Sequence, residues 1–217
     1  MKRAGKARDR AASWTQDPDG VRRDILAAAR MEFVEKGLSG ARVDEIAART
    51  ATSKRMIYYY FGDKEGLYRA VLEDAYQRMR DSERKLDLAA LPPHEALAKL
   101  VAASFDYHAD DPSYVRLIMV ENIHHARHLQ GSRTIGPLNQ PAIETVREIY
   151  QRGVDEGVFR VGLDPLDIHL TIAALGFFNV SNQATVRELF SRDTAEPAIR
   201  EKRRNHVVET VLRMALI

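Results

Sequence analysis

Residues 43–61 read VDEIAARTATSKRMIYYYF, and their spacing predicts two short helices joined by a tight turn. Two helices can cross closely only where one side chain is very small, and Ala47 stands at that point. Ala51 provides a second small residue in the turn, and Ile57 provides the branched apolar side chain that faces the first helix. Small, small and apolar residues at this spacing are typical of a helix-turn-helix.

The second of these helices begins with a capping residue, Ser53, followed by two cations and a long apolar side chain, Lys54, Arg55 and Met56. The N-terminal end of such a helix reaches base edges in the major groove of DNA. Arginine can bind guanine there bidentately, and methionine can contact a thymine methyl group. Three tyrosines and Lys64 follow, and their polar groups suit phosphate oxygens. The alternative is that the tyrosines only pack and the cations form a solvated face.

Outward from this stretch, helical periodicity runs from Val21 to the C-terminus, with prolines and glycines at the expected helix ends. We expect about eight to ten helices and no sheet, that is, an all-α fold. The pattern places helices at residues 21–37, 43–50, 53–61, 63–86, 94–109, 113–129, 165–190 and 197–217, and one more that follows the break at residues 131–132, is interrupted early by two prolines and ends near 157. Gly37 stands where a C-terminal helix cap belongs.

The composition of the 217 residues is that of a soluble globular protein, with 45% apolar and 29% charged residues. Cysteine is absent, which excludes disulfides, cysteine zinc sites and thiol nucleophiles. The longest apolar run, residues 172–178, is far shorter than the roughly 20 residues of a membrane span. The polar N-terminus has no secretory signal, so we expect a cytoplasmic protein with no membrane partner.

Charge divides unevenly along the chain. Residues 1–66 carry 14 Lys and Arg against 10 Asp and Glu, whereas residues 67–217 carry 19 against 21. A basic first segment favours an anionic partner such as DNA, although an asymmetry of this size also arises by chance. We predict a flexible basic arm at residues 1–20, a helix-turn-helix domain at 21–66 and a larger helical domain at 67–217.

Motifs of enzymes are missing from the sequence. It contains no G-x-S-x-G, no phosphate-binding G-x-x-x-x-G-K-[ST] and no G-x-G-x-x-G, so we expect no catalytic residues and no cofactor. His124 and His128 are four residues apart on a predicted helix, beside His125, and such a pair can ligate a metal. No third ligand is identifiable, so we favour a solvated or capping histidine cluster and no metal.

Residues 21–76 resemble the DNA-binding segment of the tetracycline-repressor (TetR) family. The most specific part is SKRMIYYYFGDKEGLY, residues 53–68, which is close to that family's Ser-Lys-x-x-(apolar)-Tyr-x-(Tyr/His)-Phe-x-x-Lys-(Glu)-x-Leu signature. The turn differs, reading Thr-Ala-Thr-Ser at residues 50–53 where the family usually has Ala-Gly-Val-Ser. The resemblance implies a helix-turn-helix domain followed by a larger helical domain that binds an effector and dimerises.

The resemblance also assigns roles residue by residue. It implies that base edges are contacted by Lys54, Arg55 and Met56, and that phosphates are contacted by Ser53, Tyr58, Tyr60, Lys64 and, more weakly, Arg42. Tyr59 is expected at either a base methyl group or the sugar backbone. The basic arm either adds phosphate or minor-groove contacts or is a disordered solubilising tail.

A single helix-turn-helix reads few base pairs, so specificity normally needs two copies on a palindromic site. The resemblance implies a homodimer in which the last two long helices form a four-helix bundle with the same pair of a second subunit. Small and apolar residues at helical spacing are the candidates: Ile172, Ala173, Gly176, Phe177, Val180, Val207, Val208, Val211, Leu212 and Ala215. The alternative is that these residues pack within one chain.

The resemblance further implies that the middle helices enclose a pocket whose occupation changes the spacing of the two recognition helices. The candidate lining residues are Phe105, His108, Met119, Asn122, Ile123 and Phe178, with Asn179 and Asn182 as further candidates. The alternative for each is a satisfied position in the core. Residues 114–129 and 175–190 are similar to regulators of the catabolism of aromatic or heterocyclic acids, which makes such an acid the expected effector.

Together these observations predict a dimeric repressor that a small organic effector releases from operator DNA. Three other functions stay open at this point: a regulator without an effector, an activator, and a helical binding protein or enzyme without an operator.

Overall fold

The computed structural model describes residues 17–217, and these residues form ten α-helices. They divide into two compact units, the first ending at Asp74 and the second beginning at Ala75. The first unit contains α1 (Pro18–Gly40), α2 (Val43–Arg49), α3 (Lys54–Phe61) and the first part of α4 (Lys64–Arg84). The second unit contains the rest of α4 and then α5 (Pro93–Asp110), α6 (Pro112–Ile123), α7 (Ile135–Asp155), α8 (Pro165–Ser181), α9 (Gln183–Phe190) and α10 (Pro197–Ala215).

The prediction of an all-α fold, with a helix-turn-helix followed by a larger helical part, is confirmed. Within residues 17–217 the extended backbone pairs at one isolated bridge, between Phe159 and Leu216. The same residues include no helix that is both long and apolar enough to cross a membrane. The division between the units falls inside α4, eight residues after the boundary predicted from the sequence. The predicted basic arm falls largely on residues 1–16, which lie outside the described residues.

Side-chain caps begin three helices of the first unit, and the one at Ser53 was predicted from the sequence. Asp17 Oδ1 accepts a hydrogen bond from the Gly20 amide at 2.8 Å, and Ser53 Oγ accepts one from the Met56 amide at 3.3 Å. Asp63 Oδ1 accepts from the Gly66 amide at 2.6 Å. Each cap satisfies a backbone N–H that the first helical turn leaves without a partner.

The core of the first unit is built from apolar side chains of all four helices. The rings of Phe33 and Tyr68 meet edge to face, with 5.1 Å between their centroids. The side chains with at most 1% exposure include Ile25, Phe33, Ile46, Ile57, Leu67 and Tyr68. Because each helix contributes at least one fully buried residue, the two short helices are held by packing and not by their own length.

One buried carboxylate, Glu32, ties α1 to both ends of α2. Glu32 Oε1 accepts hydrogen bonds from Lys36 Nζ at 3.0 Å and from the Arg42 amide at 3.2 Å. Arg49 Nη2 lies 3.3 Å from Glu32 Oε2. Burial opposes ionisation of Glu32, but the hydrogen bonds and the two cations outweigh it and hold the pKa of this carboxyl below its ordinary value of 4.5.

The second unit is organised around α5, which packs against α6, α7, α8 and α10. An apolar cluster in its core is drawn from α5, α7, α8 and α10 and from neighbouring segments. The fully buried members include Leu97, Phe105, Val146, Phe159, Ile168 and Val211.

A close approach at the end of α7 fixes the chain that follows it. The Phe159 ring stacks on Tyr150 with 6.4 Å between ring centroids, and it lies directly over Gly153. A Cβ atom at Gly153 would come within 2.0 Å of the Phe159 ring, so only glycine fits there. The Tyr150 hydroxyl donates to the Arg160 carbonyl at 2.9 Å and accepts from the Leu163 amide at 3.0 Å.

Helix α6 ends at Ile123, about six residues earlier than the sequence pattern predicts. The buried Glu121 carboxylate accepts hydrogen bonds from the amides of His128, at 2.6 Å, and Leu129, at 3.2 Å. Beyond the helix end, His125 and Ala126 take positive φ values of 56° and 58°. The carboxylate thus replaces helical carbonyls as the acceptor, and a contact across seven residues ends the helix.

A second boundary also differs from the prediction. The helix expected at residues 165–190 is broken at Asn182, so that α8 and α9 are separate. Asn182 has φ −106° and ψ 8°, outside the helical region, and its amide donates to the Phe178 carbonyl at 3.1 Å. Asn is a residue type that tolerates such an interruption, because its side chain competes with helical hydrogen bonding.

Replacing Glu32 by Gln should destabilise the protein by about 1–3 kcal/mol, because a neutral amide cannot replace the charge-assisted contacts to Lys36, Arg49 and the Arg42 amide. A folded-state pKa below 4.5 means that this contribution is fully present above pH 4.5 and is lost as pH falls through the folded value. Urea unfolding at several pH values measures both effects. Glu35→Gln on the same helix, whose side chain is 63% exposed, is the control; equal effects of the two variants would contradict the prediction.

Replacing Gly153 by Ala should lower stability by about 1–3 kcal/mol, because the added methyl group overlaps the buried Phe159 ring. Thermal unfolding followed by circular dichroism measures the change. Gly136→Ala is the matched control on the same helix: a Cβ there meets nothing within 4 Å, so the control should be neutral or slightly stabilising. A Gly153→Ala protein as stable as the Gly136→Ala protein would contradict the packing described here.

Candidate nucleic-acid interface and internal cavity

Helix α3 has one buried residue, Ile57, which is 1% exposed. Its burial turns the opposite side of the helix toward solvent. The exposed side chains there are Lys54, Arg55, Met56, Tyr58 and Tyr59, with Tyr60 half-buried. Those residues of this helix to which the family resemblance gives base and phosphate contacts therefore lie together on its solvent side, with Tyr60 only partly exposed.

Lys54 carries an ion pair with Asp44 from the first turn of α2. Its Nζ lies 2.9 Å from Asp44 Oδ1 and 3.0 Å from Oδ2. This hydrogen bond raises the pKa of Lys54 above its ordinary value. Lys54 must therefore leave the Asp44 carboxylate before it can bind a base or a phosphate.

Lys64 and Arg42 lie near the end of α1. Lys64 Nζ donates to the Ala41 carbonyl at 3.2 Å and to the Ser39 carbonyl at 3.5 Å, which fixes α4 to the chain after α1. An ammonium has three N–H groups, so one is left for a phosphate oxygen. Arg42 is exposed, and its backbone amide binds Glu32.

The three consecutive tyrosines differ in exposure. Tyr59 is 78% exposed and Tyr58 is 39% exposed. Tyr60 packs between its neighbours, with ring centroids 5.4 Å from Tyr59 and 6.2 Å from Phe61. Packing therefore accounts for part of this run, and the exposed hydroxyls of Tyr58 and Tyr59 are the ones most open to an external acceptor.

The turn between α2 and α3 accepts Ala51 without backbone strain. Among residues 17–217 the non-glycine residues with positive φ are His125, Ala126 and Ser191, so Ala51 does not need the conformation that favours glycine. Thr50 Oγ1 donates to the Ala47 carbonyl at 3.2 Å and accepts from the Thr52 amide at 3.3 Å. The side chain of Thr50 thus stabilises a turn that lacks the usual glycine.

The second unit contains a cavity of about 460 Å³ among helices α4 to α8. Of the residues predicted to line a pocket, His108 and Asn122 line this cavity. The other four do not. Phe105 is 1% exposed and belongs to the apolar core, whereas Met119, Ile123 and Phe178 are exposed at the surface, by 36%, 71% and 54%.

Most of the lining was not predicted from the sequence. It comes from α4 as well as from the middle helices, and it includes Tyr76, Met79, Arg80, Glu83, Ser104, Tyr114, Ile118, Asn139, Thr145, His169 and Phe177. The spacing of Tyr76, Met79, Arg80 and Glu83 puts them on one face of α4. Charged residues on a helix face normally indicate solvent, and only the position of the other helices shows that this face borders a cavity.

Most polar groups of the cavity are neutral at pH 7. Burial lowers the pKa of His108 to about 4, and burial raises the pKa of Tyr76 and Tyr114. His108 Nδ1 lies 2.7 Å from the Ser104 carbonyl, so Nδ1 carries the proton and Nε2 is an acceptor. The charged side chains of the lining are Arg80 and Glu83, with 2.6 Å between Nη1 and Oε2.

The predicted pairing surface needs correction at five positions. Ile172, Gly176, Val207, Val211 and Ala215 are buried within this chain, so they cannot contact a second one. A Cβ at Gly176 would lie 2.9 Å from His108 Nδ1, so its small size serves the chain's own packing. Small and branched residues at helical spacing show that a face is buried, but not by which chain.

The other predicted pairing residues are partly exposed. Ala173 and Phe177 line the cavity, and Val180, Val208 and Leu212 are half-buried. Exposed apolar residues also recur along α8 at intervals of four, at Leu166, Leu170, Ala174 and Phe178, and of these Leu170 and Ala174 border the cavity as well. We call these four residues the α8 stripe. Of the two further pocket candidates, Asn179 is buried and its carbonyl accepts from Thr194 Oγ1 at 3.2 Å, whereas Asn182 separates α8 from α9.

The histidine cluster is divided by its surroundings. His128 is buried, and its Nδ1 lies 2.9 Å from Glu121 Oε2, whereas His124 and His125 are exposed. The part of the chain from residue 17 onward contains no group of three His, Cys, Asp or Glu side chains placed to hold a metal ion. The buried histidine thus serves the loop that follows α6.

Two family models match the chain. Residues 25–71 match the model described as "Bacterial regulatory proteins, tetR family", and residues 93–211 match "Tetracyclin repressor-like, C-terminal domain". The first match contains the whole helix-turn-helix, and the second contains α5 to α9 and most of α10.

Curated and solved relatives agree with these matches. The chain is 35% identical over 181 residues to the HTH-type transcriptional repressor NicS of Pseudomonas putida, covering 83% of this chain and 85% of the relative. The crystal structure of a transcriptional regulator from Streptomyces coelicolor aligns with a TM-score of 0.66 at 27% identity, covering 90% of this chain and 98% of that one. A tetR-family regulatory protein from Rhodococcus aligns with a TM-score of 0.69 at 22% identity, covering 89% and 96%, and shows the same fold. The chain belongs to the TetR family of DNA-binding transcriptional regulators.

Proposed function

We propose that the protein is a dimeric repressor that binds a palindromic operator in the cytoplasm and is released from it by a small organic effector. The observation that carries this proposal is the exposed cationic end of α3, which Ile57 anchors from the other side. The cavity of the second unit supports the proposal that the protein binds an effector. The relative from Pseudomonas putida, which is described as a repressor, supports repression over activation.

In this proposal Arg55 and Met56 contact base edges from the first turn of α3, and Lys54 joins them when it leaves Asp44. Ser53, Tyr58, Tyr59 and Tyr60 contact phosphates or sugars, as do Arg42 and the remaining N–H of Lys64. Moving Lys54 away from the Asp44 carboxylate costs electrostatic free energy. Arg55 is therefore the residue from which we expect the larger share of base discrimination.

The dimer in this proposal uses the exposed surface of α8 and α10 in place of the buried residues named above. The α8 stripe offers four apolar side chains to solvent, and Phe178 and Leu170 are each more than half exposed. A second copy of the chain would bury this stripe around a two-fold axis. Val180, Val208 and Leu212, which are half-buried in one chain, border that contact.

The effector in this proposal is an aromatic or heterocyclic acid held in the cavity. A volume of about 460 Å³ lies within the range of about 300–1,000 Å³ that small-molecule sites occupy. Its walls combine apolar side chains with a few polar groups, which is the usual composition of such sites. We propose that this cavity binds its ligand without converting it, and that binding is coupled to operator affinity.

The DNA-binding proposal is tested by selecting binding sites from a random-sequence DNA duplex library with the full-length protein. We expect enrichment of an inverted repeat, because two α3 helices related by a two-fold axis read two half-sites. Arg55→Ala should cost about 1–3 kcal/mol on the selected site, measured by fluorescence anisotropy at fixed salt, and should relax the preference at one base pair.

Arg116→Ala, an exposed arginine of α6 in the second unit, is the matched control and should leave affinity unchanged. Selection of no sequence at all, or equal affinities of the two variants for the selected site, would overturn the proposed role.

The dimer proposal is tested with Phe178→Glu, which places a charge in the α8 stripe. We expect wild type to sediment as a dimer and the variant as a monomer at micromolar concentration, because burying an unpaired carboxylate opposes association. Val161→Glu is the control, since Val161 is 78% exposed and lies outside the stripe. A Phe178→Glu protein that remains as dimeric as the control would refute this interface.

A further inference from the structure

Arg80 of α4 is a buried guanidinium in the wall of the cavity. The residue is 5% exposed, and its Nε and Nη1 atoms have no hydrogen-bond acceptor among the described residues. Nη1 lies 2.6 Å from Glu83 Oε2, a contact that is an ion pair and not a hydrogen bond. The Glu83 contact therefore leaves Nε and Nη1 of Arg80 without a hydrogen-bond acceptor.

Buried donors without acceptors are rare because each costs free energy. A guanidinium presents its N–H groups as a planar fork that matches the two oxygens of a carboxylate. Because Nε and Nη1 have less than 1 Å² of accessible surface, a ligand carboxylate in the cavity can reach these N–H groups only once Glu83 has moved away. The unpaired donors thus indicate the chemistry of the missing acceptor.

The surroundings of Arg80 also favour an anion. A second cavity of about 540 Å³ shares Arg80, Glu83 and Thr145 with the first one. Its lining adds two more arginines, Arg84 and Arg133. Around the shared wall of the two cavities, three arginines outnumber the carboxylates of Glu83 and of Asp81, which Arg84 contacts on the surface, and this excess of positive charge favours an anion.

The rest of the first cavity favours a flat apolar body beside the acid group. The rings of Tyr76 and Tyr114 meet nearly at right angles with 5.7 Å between centroids, and the His108 and Phe177 rings do so at 6.3 Å. These aromatic side chains all line the cavity, and His108 is uncharged at neutral pH, so it does not compete with Arg80 for the anion. Aromatic walls of this kind suit a planar ring system.

Glu83 is the largely buried counter-ion of Arg80. Burial disfavours its charged form and raises its pKa, and Arg80 opposes this effect. Its side chain also lines the second cavity, where Arg84 and Arg133 can receive it when it leaves Arg80. The pair is therefore one that an incoming carboxylate can separate without leaving either charge buried alone.

We propose that Arg80 binds the carboxylate of a planar aromatic acid in this cavity, and that Glu83 occupies Arg80 until the acid replaces it. This inference rests on the proposed function, in which the cavity receives the effector, and it adds the residue that selects the ligand's charge. Arg80 is the specificity-determining residue, and Glu83 is its internal competitor.

The test is isothermal titration calorimetry of the full-length protein without DNA. The probes are benzoate, salicylate, phenylacetate and indole-3-acetate, each compared with its neutral amide. We expect at least one acid to bind about tenfold or more tightly than its amide, because charge-assisted hydrogen bonds to a buried guanidinium form only with the acid.

Two variants separate recognition from a structural role. Arg80→Gln should lower affinity for that acid to the level of its amide and leave amide binding unchanged. Glu83→Gln should raise affinity for the acid by about threefold or more and leave the amide unchanged, since a competing anion is removed. The double variant, which keeps the site neutral, should restore thermal stability if either single variant loses it and should still not prefer the acid. Arg84→Gln, on the exposed side of the second cavity, is the matched control and should change acid affinity less than Arg80→Gln.

Four results would overturn the inference: binding of none of the acids, equal binding of acid and amide by wild type, equal weakening of acid and amide by Arg80→Gln, or weaker acid binding by a folded Glu83→Gln protein. A separate measurement of operator binding shows whether the proposed function or this inference has failed. Acid binding by a protein that selects no DNA site would refute the proposed function alone, and operator binding without acid binding would refute this inference alone.

Discussion

The orientation of α3 depends on the burial of Ile57. A helix of eight residues is too short to be stable alone, so it forms because this side chain packs into the first unit and because Ser53 caps its start. With Ile57 buried, the 100° turn per residue places Arg55, Met56 and Tyr59 toward solvent. One apolar contact thus fixes which side chains a DNA duplex can meet, and Glu32 holds α2, which packs against α3, in its place.

The two units differ in the contacts that hold their helices together. In the first, one long helix, two short ones and the start of a fourth share a small core, and polar contacts of Glu32 and Lys64 help to hold them together. In the second, α5 lies among four helices and supplies a continuous apolar cluster. The cavity lies beside that cluster, where the helices carry polar or aromatic residues that do not fill the space between them. A stable core and an unfilled site can therefore exist in one helical unit.

Sequence signals within a few residues predicted most of the fold. The differences between prediction and structure come from contacts between residues that are distant in the sequence. Caps at Ser53 and Asp63 and the spacing of Ala47, Ala51 and Ile57 act within a few residues, so the helix-turn-helix could be recognised from the sequence. The end of α6 could not be predicted from the sequence, because it depends on a contact between Glu121 and His128 across a loop. The cavity residues Arg80 and Glu83 were missed for a related reason: a charged helix face is the same in sequence whether it borders solvent or a cavity. His108 and Asn122 were found because polar residues interrupt otherwise apolar helices there.

The Glu121 carboxylate has a further consequence for how the chain tolerates change. It accepts hydrogen bonds from His128 and Leu129, so the backbone leaves α6 and returns to the same point before α7 begins. Extra residues inserted between these anchors would extend outward as a longer loop, and closing a somewhat longer loop costs little additional entropy. The segment from His124 to Arg127 is consequently a suitable place for grafting a foreign peptide or a labelling sequence while both flanking helices keep their ends.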